Sequence, residues 1–172
     1  VISITDGQIY LQRDLFQAGI RPAIDVGISV SRVGGHAQVE AMRKVAGKLR
    51  LDLSSFRELQ NFARMGTELD PASQALLDRG CRMVELLKQP QFDPMSVGEQ
   101  VITIYLGSAG LLDDVPVNAV SEFTTGFLMW LREKQPQHVD QIHKAKKFPE
   151  DLAAAVAAAL KQYKAQTLKA SK

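Results

Sequence analysis

A change of period at Gly34-Gly35 constrains this chain more than any other feature. Before it, the apolar residues come in short β-branched runs: VISI, QIYL and IDVGISV. Asp6-Gly7 and the AGIRPA stretch separate them, and both are turn signals. After it, Met42, Val45, Leu49, Leu53 and Phe56 recur at spacings of three and four, which is the repeat of one helix face. The two regimes cannot belong to one uniform architecture. Two or three short strands do not bury both their faces unaided. The expected fold is therefore mainly α: a bundle of five to seven helices preceded by a short strand-rich stub. The stub is expected to belong to a sheet whose other strands lie elsewhere. The expected division is 1–35 for the stub and 36–172 for the bundle. VISIT opens directly on a β-branched run, so a piece of a longer protein is expected.

Helix boundaries are marked by side chains that satisfy free backbone groups. The stripe from Met42 onward predicts one long helix over about 36–64, ended by Gly66. Asp70-Pro71 predicts the next start, with Asp as cap and Pro in the first turn. Its expected apolar stripe is Leu76, Leu77, Met83, Val84 and Leu87, and Pro90 stops it. Ser96-Val97-Gly98-Glu99 is an S-x-x-E capping box ahead of Ile102, Tyr105 and Leu106. A helix over about 117–135 carries Val120, Phe123, Phe127, Trp130 and Leu131, and Pro136 ends it. A short helix near 138–145 and a last one from Pro149, rich in alanine, complete the bundle.

Composition removes several function classes. With 21 Lys and Arg against 19 Asp and Glu, no overall basic field points to nucleic acid. The charge is uneven: through Leu131 there are 12 basic and 15 acidic residues, and from Arg132 onward 9 and 4. One cysteine, Cys81, excludes an intrachain disulfide and a cysteine metal cluster. No apolar run reaches the ~20 residues that span a bilayer, so no direct membrane insertion is expected. The motifs GxSxG, HExxH, GxGxxG and GxxxxGK[ST] are all missing. Gly47-Lys48 is no phosphate cradle, because Met42 stands where its first glycine would be.

The remaining candidates have ordinary readings beside functional ones. His36, His138 and His143 read as solvated surface residues, and His138 and His143 lie five apart, a poor spacing for shared metal ligation. Cys81 reads as a small buried hydrophobe. Lys144–Lys147 reads as a solvated face, since no aromatic platform accompanies it. Arg32 stands out. In GISVSRVGGHAQ it sits among Ser29, Ser31, Gly34 and Gly35, which permit close approach of another surface. Its planar fork suits phosphate oxygens, although an arginine at a strand-to-helix junction is more often an ion pair or a carbonyl cap.

The stretches VISITDGQIYL, DLFQAGIRPAIDVGISVSRVGGHAQ, AMRKVAGKLRLDL, FRELQNFARMGTELD and RMVELLKQPQFDPM together resemble the alpha subunits of F-type ATP synthases. The likeness runs through almost the whole sequence and weakens after about residue 110. It implies the end of a nucleotide-binding domain followed by the C-terminal helical domain, with barrel and P-loop upstream. It implies that Arg32 is an arginine finger, acting in trans on the ATP site of a neighbouring beta subunit, and that Ser3 and Gly7 lie near that phosphate site. It implies that Arg21, Pro22, Gln89 and Gln91 surround the adenine of a non-catalytic, regulatory nucleotide held by alpha itself. Two positions depart from the pattern: His36 stands where a small residue is frequent, and Asp25 where Asn is.

The resemblance further implies a role within a proton-transporting complex that makes or hydrolyses ATP. ATP or ADP with Mg²⁺ would be bound by the full subunit, the Mg²⁺ ligands lying outside this fragment. Expected partners are beta subunits in an alternating ring, a gamma-type shaft and a delta-type stalk, with no nucleic acid. The expected location is peripheral, on the cytoplasmic face of a bacterial inner membrane, or the matrix or stroma side in an organelle. Alone, the fragment is expected to be catalytically silent. The competing reading is an independent helical module that grips acidic partners through its basic end; a DNA-binding helix-turn-helix protein is the weaker third.

Overall fold

The computed structural model describes residues 4–47, 49–66 and 68–170, with side chains through Thr167. The stub contains strand β1 (Gly7–Gln8), a short helix α1 (Arg13–Gln17) and strand β2 (Val30–Ser31). The strands pair antiparallel, Gly7 opposite Ser31 and Gln8 opposite Val30, and Leu11 bridges Ile24. Seven helices follow: α2 (Glu40–Ala46), α3 (Leu49–Arg64), α4 (Pro71–Leu86), α5 (Val97–Ser108), α6 (Val120–Lys134), α7 (Gln137–Ala145) and α8 (Glu150–Ala170). Single 3-10 turns at Gly34–Ala37 and Val117–Ala119 lead into α2 and α6. The mainly helical reading with a strand-bearing stub is thus borne out.

The stub is less regular than its β-branched runs predict. IDVGISV is not one strand. The Asp25 carboxylate accepts N–H bonds from Gly27 at 2.8 Å and Ile28 at 3.4 Å, folding 25–28 into a turn. Such a local side-chain bond competes with strand pairing. QIYL pairs only at Gln8 and Leu11, and α1 follows where no helix was expected. Of VISI, only Ile4 falls among the described residues, in a turn. Among described residues 4–35 the one buried side chain is Ala23, as expected of a two-stranded ribbon with no opposing layer.

The helix expected over 36–64 is two helices. Gly47 lies at the break, where helix propensity is about 1 kcal/mol poorer than alanine's. The break has a packing reason: α2 lies against α5, whereas α3 packs on α4. One apolar stripe serves two neighbours that lie in different directions. The two expected caps form as read. Asp70 accepts N–H bonds from Ala72 and Ser73 at 3.0 and 3.1 Å. The Ser96 hydroxyl accepts from Glu99 N–H, while Glu99 accepts from Ser96 N–H. In α4 the core residues are Met83 and Leu86; Leu76 and Leu87 of the expected stripe are exposed.

At the centre is α5. Val101, Ile102 and Leu106 are wholly excluded from solvent, and Thr103 and Ile104 nearly so, so this helix is buried on most of its circumference. Val120, Phe127 and Leu131 of α6 close one side of the core. Phe123, Phe127 and Trp130 meet Tyr163 of α8 with ring centroids 5.2, 5.6 and 6.0 Å apart. The alanine-rich α8 buries Leu152, Val156, Ala159 and Leu160, one face at helical spacing. A left-handed Lys146 turns the backbone between α7 and α8, and its carbonyl accepts the Ala41 N–H at 2.9 Å.

The contact of α3 with α4 depends on one glycine. A Cβ on Gly80 would lie 2.2 Å from the Phe56 ring, so nothing larger fits while Phe56 stays in place. Gly80→Ala is expected to destabilise the protein by about 1–3 kcal/mol, the scale of overpacking. Gly80→Ala should cost less in a Phe56→Ala background, where the ring is gone. Urea unfolding of both variants tests the pair, and strictly additive losses would contradict the contact.

Candidate functional site

Arg32 follows directly on β2. Its backbone N–H donates to the Asp6 carbonyl at 2.7 Å, extending the pairing of β1 with β2 by one bond. The side chain is exposed. On its C-terminal side, Gly34 N–H donates to the Ser31 hydroxyl at 2.9 Å, and Arg43 donates to the Gly35 and Gln38 carbonyls. The arginine is therefore carried on a backbone held from both directions.

Gly7 supports this arrangement through its size. It adopts φ +142, and a Cβ there would come within 2.0 Å of the Val30 carbonyl oxygen. Only glycine lets β1 lie this close to the strand that presents Arg32. Ser3 lies outside the described residues.

The adenine-side candidates lie on two separate connections, and a backbone bond joins them. Gln89 N–H donates to the Arg21 carbonyl at 2.8 Å. The Arg21 guanidinium stands 4.3 Å above the Phe16 ring, a cation–π contact, and the peptide to Pro22 is cis. The Gln89 side-chain amide donates to the Asp93 carbonyl at 2.7 Å, which leaves its oxygen as the acceptor on offer. Gln91 is exposed on the same loop, next to a left-handed Phe92 that is 93% exposed.

The other candidates are quieter. Cys81 is half-buried, and burial pushes its thiol pKa up, away from a nucleophilic thiolate. His36 and His143 are exposed. His138 departs from the expected solvated residue: burial lowers its pKa, and its Nδ1 is buried without a hydrogen-bond partner, while Nε2 meets Gln135 at 2.9 Å. Lys144, Lys146 and Lys147 are exposed, as read. Among the described residues no group of His, Cys, Asp and Glu could hold a metal ion.

Sequence reasoning missed the residues that fasten the stub to the helices. Asp25 accepts from Arg57 Nη1 on α3 at 2.8 Å and from Gln12 Nε2 at 2.9 Å. Arg50 donates to the Gly27 and Ser29 carbonyls. The Asp25-Val26-Gly27 turn signature was a local signal that could have been read. The arginine partners had none.

A family model described as the C-terminal domain of the ATP synthase alpha/beta subunits matches residues 38–163. The protein belongs to that family. A second model, the nucleotide-binding domain of the ATP synthase alpha/beta family, matches residues 1–31. The sequence is 52% identical over 164 residues to the ATP synthase subunit alpha of Acidothermus cellulolyticus, a match that takes in 95% of this sequence and 30% of that protein. It is equally identical over the same length to the ATP synthase subunit alpha of Mycobacterium leprae, of which it spans 29%. It thus spans about 30% of the length of the curated relatives that it matches. The ATP synthase family agrees with the resemblance drawn from VISITDGQIYL through RMVELLKQPQFDPM. Among the described residues no helix is long and apolar enough to cross a membrane.

The Asp25–Arg57 tie has a signature in acid. The Arg57 hydrogen bond is the largest influence on Asp25 and, with the Gly27 and Ile28 N–H groups, holds its carboxyl below the usual range against the opposing effect of burial. A depressed folded pKa stabilises above the unfolded value of about 3.9 and is lost as pH falls through the folded value. Asp25→Asn should therefore cost about 1 kcal/mol near neutral pH, discounted because Arg57 is partly exposed. The gap between the two proteins should close as pH drops below about 4. Urea midpoints measured from pH 7 down to 3 test this, and a gap that stays constant would contradict it.

Proposed function

We propose that this protein is the C-terminal part of an alpha subunit of a rotary, proton-translocating ATP synthase, and that it acts on nucleotide at two sites. Arg32 serves as the arginine finger of a neighbouring beta subunit's ATP site. The observation that carries this reading is an exposed arginine at the end of a paired strand, its backbone fixed by the Asp6 carbonyl on one side and by Ser31 and Arg43 on the other. In phosphoryl transfer, negative charge spreads over the transferred group, and a fixed guanidinium contributes roughly 10³–10⁵ in rate. Ser3 and Gly7 stand near the same phosphate in this reading. Gly7 lets β1 approach β2, and Arg32 takes its origin from that pair.

The second site belongs to alpha's own regulatory nucleotide. Arg21, Pro22, Gln89 and Gln91 would flank the adenine. The backbone bond from Gln89 to Arg21 supports this, since it holds the two segments side by side. A glutamine oxygen can accept from a purine amino group, and the Arg21–Phe16 stack offers a flat face beside it. Mg²⁺ and the triphosphate would be held by the P-loop of the full subunit, since GxxxxGK[ST] does not occur in this sequence. Bound ATP or ADP supplies the phosphoryl group; the residues here orient the base and, in trans, stabilise charge. The helical bundle would pack beside beta subunits around a gamma-type shaft, with a delta-type stalk contacting the complete alpha subunit. The assembly would sit peripherally at the membrane.

Two measurements test this. Calorimetry of the isolated protein with Mg-ATP should show no binding in the micromolar range, because the contacts to the triphosphate dominate affinity; a clear micromolar isotherm would contradict the reading. In the full assembly, Arg32→Lys should remove most multi-site turnover while nucleotide affinity changes far less. Lysine keeps the charge and loses the planar fork, and a finger acts on charge that develops in the transition state. A structural arginine would behave oppositely: the urea midpoint of the isolated protein would fall and turnover would survive.

A further inference from the structure

An open groove of about 340 Å³ lies where α2 meets the connection from α7 to α8. Arg43, Lys44 and Lys147 line it, with Glu40, Phe148 and Pro149. Three cations thus share one carboxylate. Glu40 meets Lys147 at 3.7 Å, a loose pair whose side chains are 67% and 64% exposed. Arg43 and Lys44 rest on neutral oxygens instead. Arg43 donates to the Gly35 and Gln38 carbonyls at 3.1 and 3.4 Å, and Lys44 donates to the Phe148 carbonyl at 3.1 Å. Elsewhere in the bundle Arg79, Lys88, Arg132 and Lys164 each meet a carboxylate. A carbonyl oxygen orients a cation but carries no formal charge to cancel it.

The base of the groove is held firmly. Ala41 N–H donates to the Lys146 carbonyl at 2.9 Å, and with the Lys44 bond this ties α2 to residues 146–148. Charges fixed in advance lose little freedom when a partner arrives. Beyond the lining, exposed Lys144 and Lys146 are balanced by Glu150 and Asp151 in the first turn of α8, so the excess positive charge belongs to the groove walls. We propose that this groove docks an acidic segment of a partner protein, its carboxylates set against Arg43, Lys44 and Lys147. Charge complementarity selects the occupant. Arg43 and Lys44 already direct nitrogens at main-chain carbonyls, so the groove presents a positive field more than a ring of free donors converging on one small anion. Its one aromatic residue, Phe148, is buried, so no platform receives the bases of a nucleic acid. The proposal rests on these charges and not on the nucleotide sites. Arg43 also holds the backbone that follows Arg32, so Lys147 is the residue to substitute.

Amide NMR shifts of the intact protein test this, with end-blocked hexaglutamate as probe and hexaglutamine and inorganic phosphate as controls. Hexaglutamate is expected to bind in the millimolar range or tighter at an ionic strength of about 0.15 M, with shifts centred on residues 40–44 and 146–149. Lowering the ionic strength to about 0.01 M, where the Debye length grows from roughly 8 to roughly 30 Å, should tighten it several-fold. At the higher ionic strength Lys147→Glu should weaken the peptide about fivefold. Lys147→Gln, which sets no new charge beside Glu40, should weaken it about twofold, the scale of an exposed ion pair. Lys161→Glu makes the same change in net charge at an exposed position of α8, roughly 16 Å along the helix from Glu150, and should leave the affinity nearly unchanged. Equal losses from Lys147→Glu and Lys161→Glu would mean attraction by net charge alone and would overturn the proposal. Absence of binding, shifts centred elsewhere, or equal binding of hexaglutamine would overturn it too. Phosphate bound at the same residues as tightly as hexaglutamate would assign the groove to a small anion and not to an acidic segment.

Discussion

Glu99 is a carboxylate almost wholly removed from solvent, and the placement of the central helix depends on how it is satisfied. Burial alone would push its pKa up, but the Ser96 hydroxyl and N–H and the Arg132 guanidinium outweigh that and hold it ionised below the usual range. One oxygen therefore closes the N-terminus of α5, and the other fixes α6 beside it. A buried carboxylate that lost either partner would be a large local cost, several kcal/mol where the charge is left unpaired. This bond ties the start of α5 to the end of α6. The apolar faces of both helices, from Ile102 and Leu106 to Phe127 and Leu131, then close around it.

The stub is held differently. It has almost no core of its own, and it meets the helices through hydrogen bonds and ion pairs: Asp25 to Arg57, the Gly27 and Ser29 carbonyls to Arg50, the Gly35 carbonyl to Arg43, and the Arg21 carbonyl to Gln89. These are directional contacts with little buried apolar area behind them. They fix the origin of Arg32 and the pairing of the Arg21 and Gln89 segments more than they contribute to global stability. Ile9, Leu11, Phe16, Ile28 and Val30 of the stub are exposed, and among its described hydrophobes only Ala23 is buried.

Much of the fold was legible because its signals are local. A cap is an interaction across two or three residues, so Asp70 and Ser96 with Glu99 could be read from the sequence and form as read. The switch of period at Gly34-Gly35 likewise separates ribbon from bundle. Local reading failed where a side chain intervened or a neighbour changed. Asp25 turned IDVGISV out of a strand by accepting N–H bonds from the next residues, and the stripe across Gly47 turned out to face two different helices. His138, read as solvated, is partly enclosed with one ring nitrogen buried. Of the site, residue types and order pointed to Arg32, Arg21 and Gln89 through resemblance to known ATP synthase subunits, and spacing alone pointed to none of them.

The sequence by itself determined where helices begin, which faces are apolar, that a phosphate loop is missing and that the protein belongs with ATP synthase alpha subunits. Only the tertiary structure decided which charges meet. Asp25 finds Arg57 and Glu99 finds Arg132 across more than thirty residues. Such pairs depend on helix directions fixed by packing, so nothing in the linear order distinguishes these arginines from Arg50, Arg64 or Arg82. The same holds for Thr103 and Thr124. Each is an ordinary helix residue in the sequence, and only the packing of the helices leaves both hydroxyls buried without a hydrogen-bond partner.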